Sequence, residues 1–443
     1  MARAGVARAR CGECGYGATK EGANIKMIDE KRLSILVNSA KFDVSCSSSG
    51  SSRKNTAYGL GNAFFGGICH SFTQDGRCIS LLKILMSNDC VYDCKYCQNR
   101  ASNSLPRATA TPDEICQLVT EFYKRNFIEG LFLSSAVVKN PVYTMEKLYE
   151  TVKKLRIEYR FNGYIHLKGI PNSDKLLIEK AGTLVDRMSF NIELPSEKSL
   201  KLLAPQKNKN GIIEPMKMLA LDKYYESPTR RRKDFLPAGQ TTQMIIGASP
   251  EPDSHILKLS EYMYRNYKLK RVYYSSYIPV NDDSSLPALA VPKIREHRLY
   301  QADWLLRYYG FNADEITDES GNLSNDYDPK CDWAVRHLGL FPVEINSAPY
   351  EMLVRVPGIG IKCASRIFEA RKHTKLDFDD LKKLRVVLKR AKHFITCNGK
   401  FIGSKNEYNV GFLLKSAETE INAEQLSFFN ATDAYISAIK GEL

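Results

Sequence analysis

The amino-acid sequence predicts an α/β protein in which a partial (β/α)6 barrel is followed by a small α-helical domain. Two patterns predict this fold. Between residues 78 and 280, six short apolar segments of strand length alternate with segments of helical character, which is typical of a parallel sheet covered by helices. After residue 343 the strand pattern ends, and two short amphipathic segments flank a glycine-containing turn.

The first predicted strand covers residues 78–86, a nearly continuous apolar run of the kind found in buried parallel strands. Five further strands are predicted at 130–135, 164–168, 186–193, 243–247 and 271–277. Helices are predicted at 27–39, 112–126, 145–159, 173–181 and 297–309. In folds of this kind the functional site lies beyond the carboxyl ends of the strands.

Changes in composition along the chain predict six segments. They are a flexible leader at 1–26, an N-terminal extension at 27–77 that packs on the barrel, the barrel at 78–280, a helical connection at 281–343, the helical domain at 344–400 and a C-terminal tail at 401–443. The leader is rich in Gly, Ala and Arg and has no hydrophobic period, as is typical of a mobile terminus.

The composition of the 443 residues predicts a cytoplasmic protein without a membrane partner. Hydrophobic residues make up 43% of the chain, but no run of apolar residues is long enough to cross a bilayer. The basic N-terminus lacks the apolar core of a secretory signal. A net charge of +14 suits a polyanionic partner, either nucleic acid or a membrane surface. The twelve cysteines are too scattered for a disulfide scaffold.

Three cysteines directly follow the first predicted strand, in the segment Cys90-Val-Tyr-Asp-Cys94-Lys-Tyr-Cys97. A short loop can bring three thiolates to one iron–sulfur cluster, because each sulfur binds a different iron. The fourth iron is then open to a small molecule that chelates it by an amine and a carboxylate. The alternatives are a zinc loop, which needs a fourth ligand, and three unrelated buried thiols.

The Cys-x3-Cys-x-aromatic-Cys motif at the first strand of such a barrel resembles the signature of the radical S-adenosylmethionine (SAM) superfamily. The resemblance implies that Cys90, Cys94 and Cys97 bind a [4Fe–4S] cluster and that Tyr96 packs on the adenine of SAM. It also implies that reductive cleavage of SAM yields a 5′-deoxyadenosyl radical, which abstracts hydrogen from a substrate. Such cleavage requires an electron donor such as flavodoxin or ferredoxin.

Polar residues on later strands are further candidates for binding SAM. They are Ser134, Ser135, Ser189, Asn191, Glu193 and Gln243. The two serines stand where the superfamily often has Gly-Gly-Glu, so only the position matches. Ser189, Asn191 and Glu193 alternate to one face of a strand, where they could meet ribose hydroxyls and the methionine amino group. Ordinary solvation of strand ends is the alternative for all six.

Residues 40–400 also resemble a bacterial family of DNA modification or repair radical SAM proteins. The resemblance is carried by the segments 43–53, 67–71, 75–78, 237–240 and 394–400 and by the turn described next. It does not supply a reaction.

The turn at Pro357, Gly358, Ile359, Gly360 and Lys362 resembles the helix-hairpin-helix module of DNA repair proteins. Gly358 and Gly360 permit a positive φ and close backbone approach. The second helix begins at this turn, so its free N–H groups form an anion site, with Lys362 beside them. Residues 361–400 hold twelve Lys or Arg against four Asp or Glu, which favours a phosphate backbone as the partner. A structural αα-hairpin is the alternative.

Other cysteines of the chain are candidate ligands of a second iron–sulfur cluster. Cys46, Cys69 and Cys78, with His70 and Cys397, could ligate one, but their spacing is not diagnostic. Scattered structural cysteines are the alternative.

Three hypotheses about function follow. The first is a radical enzyme that modifies or repairs nucleic acid, with DNA preferred over RNA. The second keeps the radical chemistry but takes a protein or small-molecule substrate. The third is a nucleic-acid-binding protein whose cluster is structural or redox-sensing. Cleavage of SAM by the reduced protein would exclude the third, and salt-sensitive DNA binding separates the first from the second.

Overall fold

The computed structural model describes residues 28–40, 68–72, 78–224, 235–403 and 411. Nine strands lie in these ranges: β1 Ile68–Phe72, β2 Cys78–Leu85, β3 Gly130–Ser134, β4 Tyr164–Lys168, β5 Arg187–Ser189, β6 Gly239–Ile246, β7 Arg271–Ser276, β8 Val343–Glu344 and β9 Ile395–Thr396. The first seven strands form one sheet in chain order, and β8 pairs with β9.

The same ranges contain fourteen α-helices. They are α1 Glu30–Ser39, α2 Pro112–Lys124, α3 Pro141–Ile157, α4 Lys175–Gly182, α5 Glu197–Leu203, α6 Lys209–Tyr224, α7 Asp253–Tyr267, α8 Lys293–Tyr308, α9 Ala313–Ile316, α10 Pro329–Arg336, α11 Tyr350–Leu353, α12 Ile361–Ala370, α13 Phe378–Lys383 and α14 Leu388–Ala391.

Strands β2 to β7 are all parallel, which confirms the predicted partial barrel of six parallel strands. The added strand β1 pairs antiparallel with β2 at one edge. The predicted strand at 186–193 is wrong in length, because β5 ends at Ser189. After Ser189, the Thr242 hydroxyl replaces backbone hydrogen bonds between the two strands. It donates to the Phe190 carbonyl and accepts from the Ile192 N–H. Pairing resumes only as an isolated bridge at Glu193.

Side chains on the two faces of the sheet differ in character. The outer face is apolar and packs under the helices, with Ile84, Leu133 and Leu167 fully buried. The inner face carries buried polar groups, including Lys83, His166 and Thr241. Alternation along each strand therefore separates a hydrophobic layer outside from a polar interior.

Helix starts are fixed by local capping. In α2, Thr111 and Glu114 form a capping box and Pro112 occupies the first turn. Helices α2, α3 and α4 then pack in sequence along the sheet. Helix α1 packs on β2, and its Arg32 guanidinium lies 2.7 Å from the Glu114 carboxylate.

The C-terminal helical region follows the barrel through α8 to α10 and contains the predicted second domain. Its core is continuous with that of the barrel. Arg355, just after α11, forms an ion pair of 2.9 Å with Glu315 in α9 and stacks on Phe311 and Trp333. The hairpin region is therefore fixed to the helices that precede it. Among the described residues, no helix is both long and apolar enough to span a membrane.

Candidate active site

The three cysteines of the motif lie in the loop that follows β2, at the carboxyl end of the barrel, as predicted. Cys94 is buried, and Cys90 and Cys97 are half-buried. The Tyr92 N–H donates to the Cys90 sulfur at 3.4 Å, and the Cys97 N–H donates to the Cys94 carbonyl at 2.9 Å. The chain therefore curls tightly around this group of thiols.

Two distant segments hold this loop in place. The Lys95 N–H donates to the Leu203 carbonyl at 2.8 Å, at the end of α5. On the other side, the Asn281 side-chain amide donates to the Lys95 carbonyl at 2.6 Å and to the Cys97 carbonyl at 2.9 Å. Within the loop, Arg100 makes a bidentate pair with Asp93. A loop fixed at both sides is preorganised for ligands.

The donor set suits an iron–sulfur cluster. Within the described residues, no three His, Cys, Asp or Glu side chains converge on a single metal ion. A cluster does not require such convergence, because each thiolate binds a separate iron. Burial raises the pKa of the Cys97 thiol to about 12, and the neighbouring Cys94 adds to this shift. Bound iron would supply the positive charge that such a thiol needs to ionise.

A buried ion pair lies beside the cysteines. The Lys207 ammonium is 2.6 Å from the Glu193 carboxylate, and their side chains are 15% and 12% exposed. Burial lowers the pKa of Lys207, but Glu193, Tyr96 and Cys94 together hold that pKa well above its usual value. Glu193 itself has a left-handed backbone with φ of 65°. The pair therefore places fixed charges directly next to the thiols.

The predicted SAM-binding residues on β5 and β6 are brought together. Ser189, Asn191 and Gln243 line a cavity inside the barrel with His166, Thr241 and Tyr273. The Asn191 side-chain amide donates to the Gln243 side-chain oxygen at 3.4 Å, and His166 is 3.0 Å from the Ser189 hydroxyl. These side chains provide donors and acceptors directly below the rim of the barrel.

Ser134 ends β3 and Ser135 follows it, beside the start of the cysteine loop. The Ser134 carbonyl accepts from the Met86 N–H at 2.7 Å, and the Ser135 hydroxyl donates to the Ala136 carbonyl at 2.7 Å. Tyr96 is half-buried with a buried hydroxyl. Its neighbours include Glu193 and Cys94. The aromatic ring of this half-buried tyrosine can stack on a flat ligand.

Sequence reasoning missed two parts of the site. Lys207 lies in a polar loop after α5, far from the motif in the sequence. Residues 281–285 follow the last strand of the sheet, yet they contact the cysteine loop through Asn281 and through Asp283, which is 3.4 Å from Lys95. The only available signal was their position after strands whose carboxyl ends meet at one rim.

The hairpin has the predicted turn between two helices, α11 and α12. Gly358 has φ of +84°, as predicted, and a Cβ placed there would lie 2.5 Å from the Val387 carbonyl oxygen. Gly360 does not use the positive φ that a glycine permits. It has φ of −84° and ψ of 169°, because it is the N-cap of α12, a position that takes extended backbone.

The predicted cation of the hairpin is exposed. Lys362 lies in the first turn of α12, and Arg366 is exposed one turn further along the same face. Pro357 and Ile359 are buried and hold the turn. Two of the basic residues are structural, since Arg371 donates to the Ile345 and Ala348 carbonyls and Arg390 pairs with Asp328 at 2.7 Å.

Helices α8 and α10 support the turn from behind. The Lys330 ammonium donates to the Ile359 carbonyl at 2.6 Å and lies 4.8 Å from the centre of the Tyr309 ring. Burial raises the pKa of Tyr309. The Ile361 N–H donates to the Tyr309 hydroxyl oxygen, and this hydrogen bond acts to lower the pKa. Burial lowers the pKa of Lys330 to about 7 in spite of the nearby Asp328.

Comparison with known families identifies the barrel. Residues 84–261 match the radical SAM superfamily model. This part of the chain is a radical SAM domain. The superfamily implies SAM and a [4Fe–4S] cluster as cofactors. Residues 342–400 match the helix-hairpin-helix motif model, which extends over α11 to α14. A search of curated proteins finds no match.

Several solved structures are similar at low identity. The chain is similar to the [FeFe]-hydrogenase maturase HydG from Carboxydothermus hydrogenoformans, with 13% identity, a TM-score of 0.40 and half of each chain covered. It is similar to methylornithine synthase (PylB), with 15% identity, a TM-score of 0.37 and coverage of 51% of this chain and 61% of that one. For the cobalamin-dependent SAM radical enzyme OxsB, the identity is 11% and the TM-score is 0.32. That match covers 81% of this chain and 55% of that one. The matches span between half and 61% of these structures.

Several sequence predictions concern residues outside the described ranges. They are the leader, the segment 43–53, most of the C-terminal tail and the side chains of Cys46, Cys69, His70 and Cys78. Cys397 is buried just after β9. The second cluster and the domain boundaries therefore stay predictions.

Proposed function

We propose that this radical SAM enzyme acts on nucleic acid, DNA in preference to RNA, and that it modifies or repairs a nucleotide. The observation that carries the proposal is the hairpin, in which an exposed Lys362 stands beside a turn that matches the helix-hairpin-helix motif. Such a turn offers helix N–H groups and a cation to a phosphate without reading the bases. The net charge of +14 supports a polyanionic partner.

In this proposal Cys90, Cys94 and Cys97 hold the [4Fe–4S] cluster. When bound, the cluster and SAM supply a carbon-centred radical that abstracts hydrogen from the substrate. Tyr96, with its buried hydroxyl and partly open ring, stacks on the adenine. Ser134 and Ser135, which lie beside the cysteine loop, bind the methionine moiety of SAM.

The polar residues of the barrel interior orient the rest of SAM. Ser189, Asn191 and Gln243 provide hydrogen bonds for the ribose hydroxyls, since all three line one cavity. Glu193 binds the methionine amino group, and Lys207 holds that carboxylate in place at 2.6 Å. Residues 281–285 brace the cysteine loop against β7. An electron donor such as flavodoxin or ferredoxin would supply the electron that cleavage of SAM requires, and the protein works in the cytoplasm.

The position of the cysteine loop at the carboxyl end of the barrel favours a target nucleotide that leaves its stack. Radical abstraction acts only at contact distance, and the cysteine loop lies within the rim of the barrel. A stacked base cannot enter such a recess. Flipping costs a few kcal/mol, least for a damaged or mismatched base, and the phosphate contacts of the hairpin supply part of that energy. The nucleic acid therefore presents a flipped or unpaired nucleotide at the rim.

The test is duplex binding by a Gly360→Val variant across a range of salt concentrations. Gly360 has extended backbone, and the nearest atom to an added Cβ is the Tyr309 hydroxyl oxygen at 3.5 Å, so the turn can accept the side chain. We expect weaker binding and a normal rate of 5′-deoxyadenosine formation in the absence of DNA. An unchanged duplex affinity would overturn the nucleic-acid role of the hairpin.

A further inference from the structure

A segment with an exposed apolar centre crosses the rim of the barrel beside the candidate site. This rim segment, residues 281–292, is joined to the site at both ends. Asn281 donates to carbonyls of the cysteine loop. At the other end, the Val291 N–H donates to the Tyr277 carbonyl at 3.1 Å, directly after β7. The middle of the rim segment therefore lies between the cysteine loop and the ends of the last strands.

The middle of the rim segment is apolar, and residues 287–290 within it are exposed to solvent. Its sequence is Leu286-Pro-Ala-Leu-Ala-Val-Pro292, without a charged residue. Leu289 is 82% exposed, more than any other large hydrophobic side chain in the described residues. Ile278, which follows Tyr277, is 56% exposed, and Ile294 is 36% exposed. Three exposed apolar side chains therefore lie in or next to one short segment at the rim, and exposed apolar groups beside a candidate site are candidates for a contact surface.

The backbone around Leu289 is stiffened and anchored. Pro287 and Pro292 have fixed φ angles. Behind them, an added Cβ at Gly247, just after β6, would lie 2.2 Å from the Val291 side chain, so the rim segment is packed directly against that strand end. Arg295 then pairs with Asp253 at 2.8 Å. A side chain presented on a preorganised backbone loses little conformational entropy on binding.

We propose that Leu289 inserts into the base stack of the nucleic acid and fills the space that the flipped nucleotide leaves. This inference rests on the proposed function. Proteins that unstack bases insert apolar side chains such as Leu between base steps, and the rim of the barrel is the place where a nucleotide must leave its stack to reach the cysteine loop. The exposed Lys293 beside the apolar group suits the flanking phosphates.

The test uses the reconstituted holoenzyme and a duplex with 2-aminopurine opposite an abasic site. At saturating protein, Leu289→Ser should reduce the fluorescence increase about tenfold, because the apolar contact in the stack is lost. Leu289→Met keeps an apolar side chain and should retain the signal. Leu221→Ser is the matched control, since Leu221 is 56% exposed near the end of α6, which runs away from the rim.

Two accompanying measurements separate the possible failures. Formation of 5′-deoxyadenosine with dithionite and no DNA should be equal in all variants and reports an intact fold. If the wild type neither binds the duplex nor changes its fluorescence, the proposed function fails and the role of Leu289 fails with it. If the wild type flips the base and Leu289→Ser does so equally, only the inference about Leu289 is overturned. Slower reduction of the variant by flavodoxin, with normal flipping, would assign the surface to the electron donor instead.

Discussion

The Lys207 ammonium lies 2.6 Å from the Glu193 carboxylate, and both side chains are buried next to Cys94. This pair joins the loop after α5 to the end of the β5 segment, and thereby fixes two walls of the site. Taking two charges out of water is costly, so a buried pair is held only where its geometry is good. Removing one partner leaves a buried charge without compensation.

We therefore expect Lys207→Met to destabilise the protein by about 3–5 kcal/mol and to reduce SAM binding. The double variant Lys207→Met/Glu193→Gln should recover most of the stability, since no charge is then left unpaired, but not the SAM affinity. Unfolding midpoints and equilibrium dialysis of SAM measure the two effects. Lys201→Met is the matched control, because Lys201 pairs with Glu197 at 2.9 Å on the exposed face of α5, and it should change neither. If the loss of stability in the double variant equalled the sum of the losses in the two single variants, the account would be contradicted.

Each of the three motif cysteines should be required for the cluster. Cys90→Ala, Cys94→Ala and Cys97→Ala should each lose most bound iron and sulfide after anaerobic reconstitution, because a cluster with two protein ligands is poorly held. Cys116→Ala should keep the cluster, since Cys116 is buried in α2 and its sulfur contacts the Thr151 carbonyl oxygen at 3.6 Å. A triple alanine variant that still forms 5′-deoxyadenosine would show that the assignment is wrong.

Charge on α12 should set the salt dependence of binding. Lys362→Gln and Arg366→Gln should each weaken duplex binding for all sequences and reduce the slope of log affinity against log salt by about one. Lys124→Gln serves as the control, because Lys124 is 65% exposed on α2 and paired with Glu121. Equal slopes for the α12 variants and this control would argue that the hairpin is only structural.

Lys330 should make stability depend on pH. Its pKa falls from 10.5 to about 7 on folding because of burial. Between these values the unfolded chain holds a proton that the folded chain lacks, so the unfolding free energy rises with pH in this window, by up to about 1.4 kcal/mol per unit. The wild type should thus gain stability relative to Lys330→Met between pH 7 and 9.

Fluorescence-detected urea unfolding can measure this effect locally. Both tryptophans of the chain, Trp304 and Trp333, lie in α8 and α10, and α10 also contains Lys330. The prediction is contradicted if the difference in unfolding free energy between wild type and Lys330→Met stays constant or shrinks as the pH rises.

Much of the barrel was predictable because its signals are local. The strand at 164–168 was predicted with the observed bounds, since Ile165 and Leu167 alternate with polar residues between two flanking glycines. The cysteine motif was predictable for the same reason, as all three thiols lie within eight residues of one loop. Strand β5 was predicted too long because its end depends on Thr242, a side chain from the next strand.

The rest of the site depends on contacts between distant segments. Lys207 reaches Glu193 only because α5 packs back toward the rim, and nothing in its own polar surroundings marks it. Asn281 braces the cysteine loop across more than 180 residues. The conformation of Gly360 likewise follows from where α12 begins, which the sequence places only approximately.

The most direct test of the central claim is transfer of deuterium from nucleic acid to the cofactor product. The reduced holoenzyme is incubated anaerobically with SAM and with DNA whose nucleotides are fully deuterated at carbon, and both 5′-deoxyadenosine and SAM are then analysed by mass spectrometry. The account predicts deuterium in one or both molecules, because the abstracted hydrogen comes from the bound nucleotide. Unlabelled 5′-deoxyadenosine and SAM, across lesion-bearing, mismatched and single-stranded DNA and the corresponding RNA, would contradict it and favour a protein or small-molecule substrate.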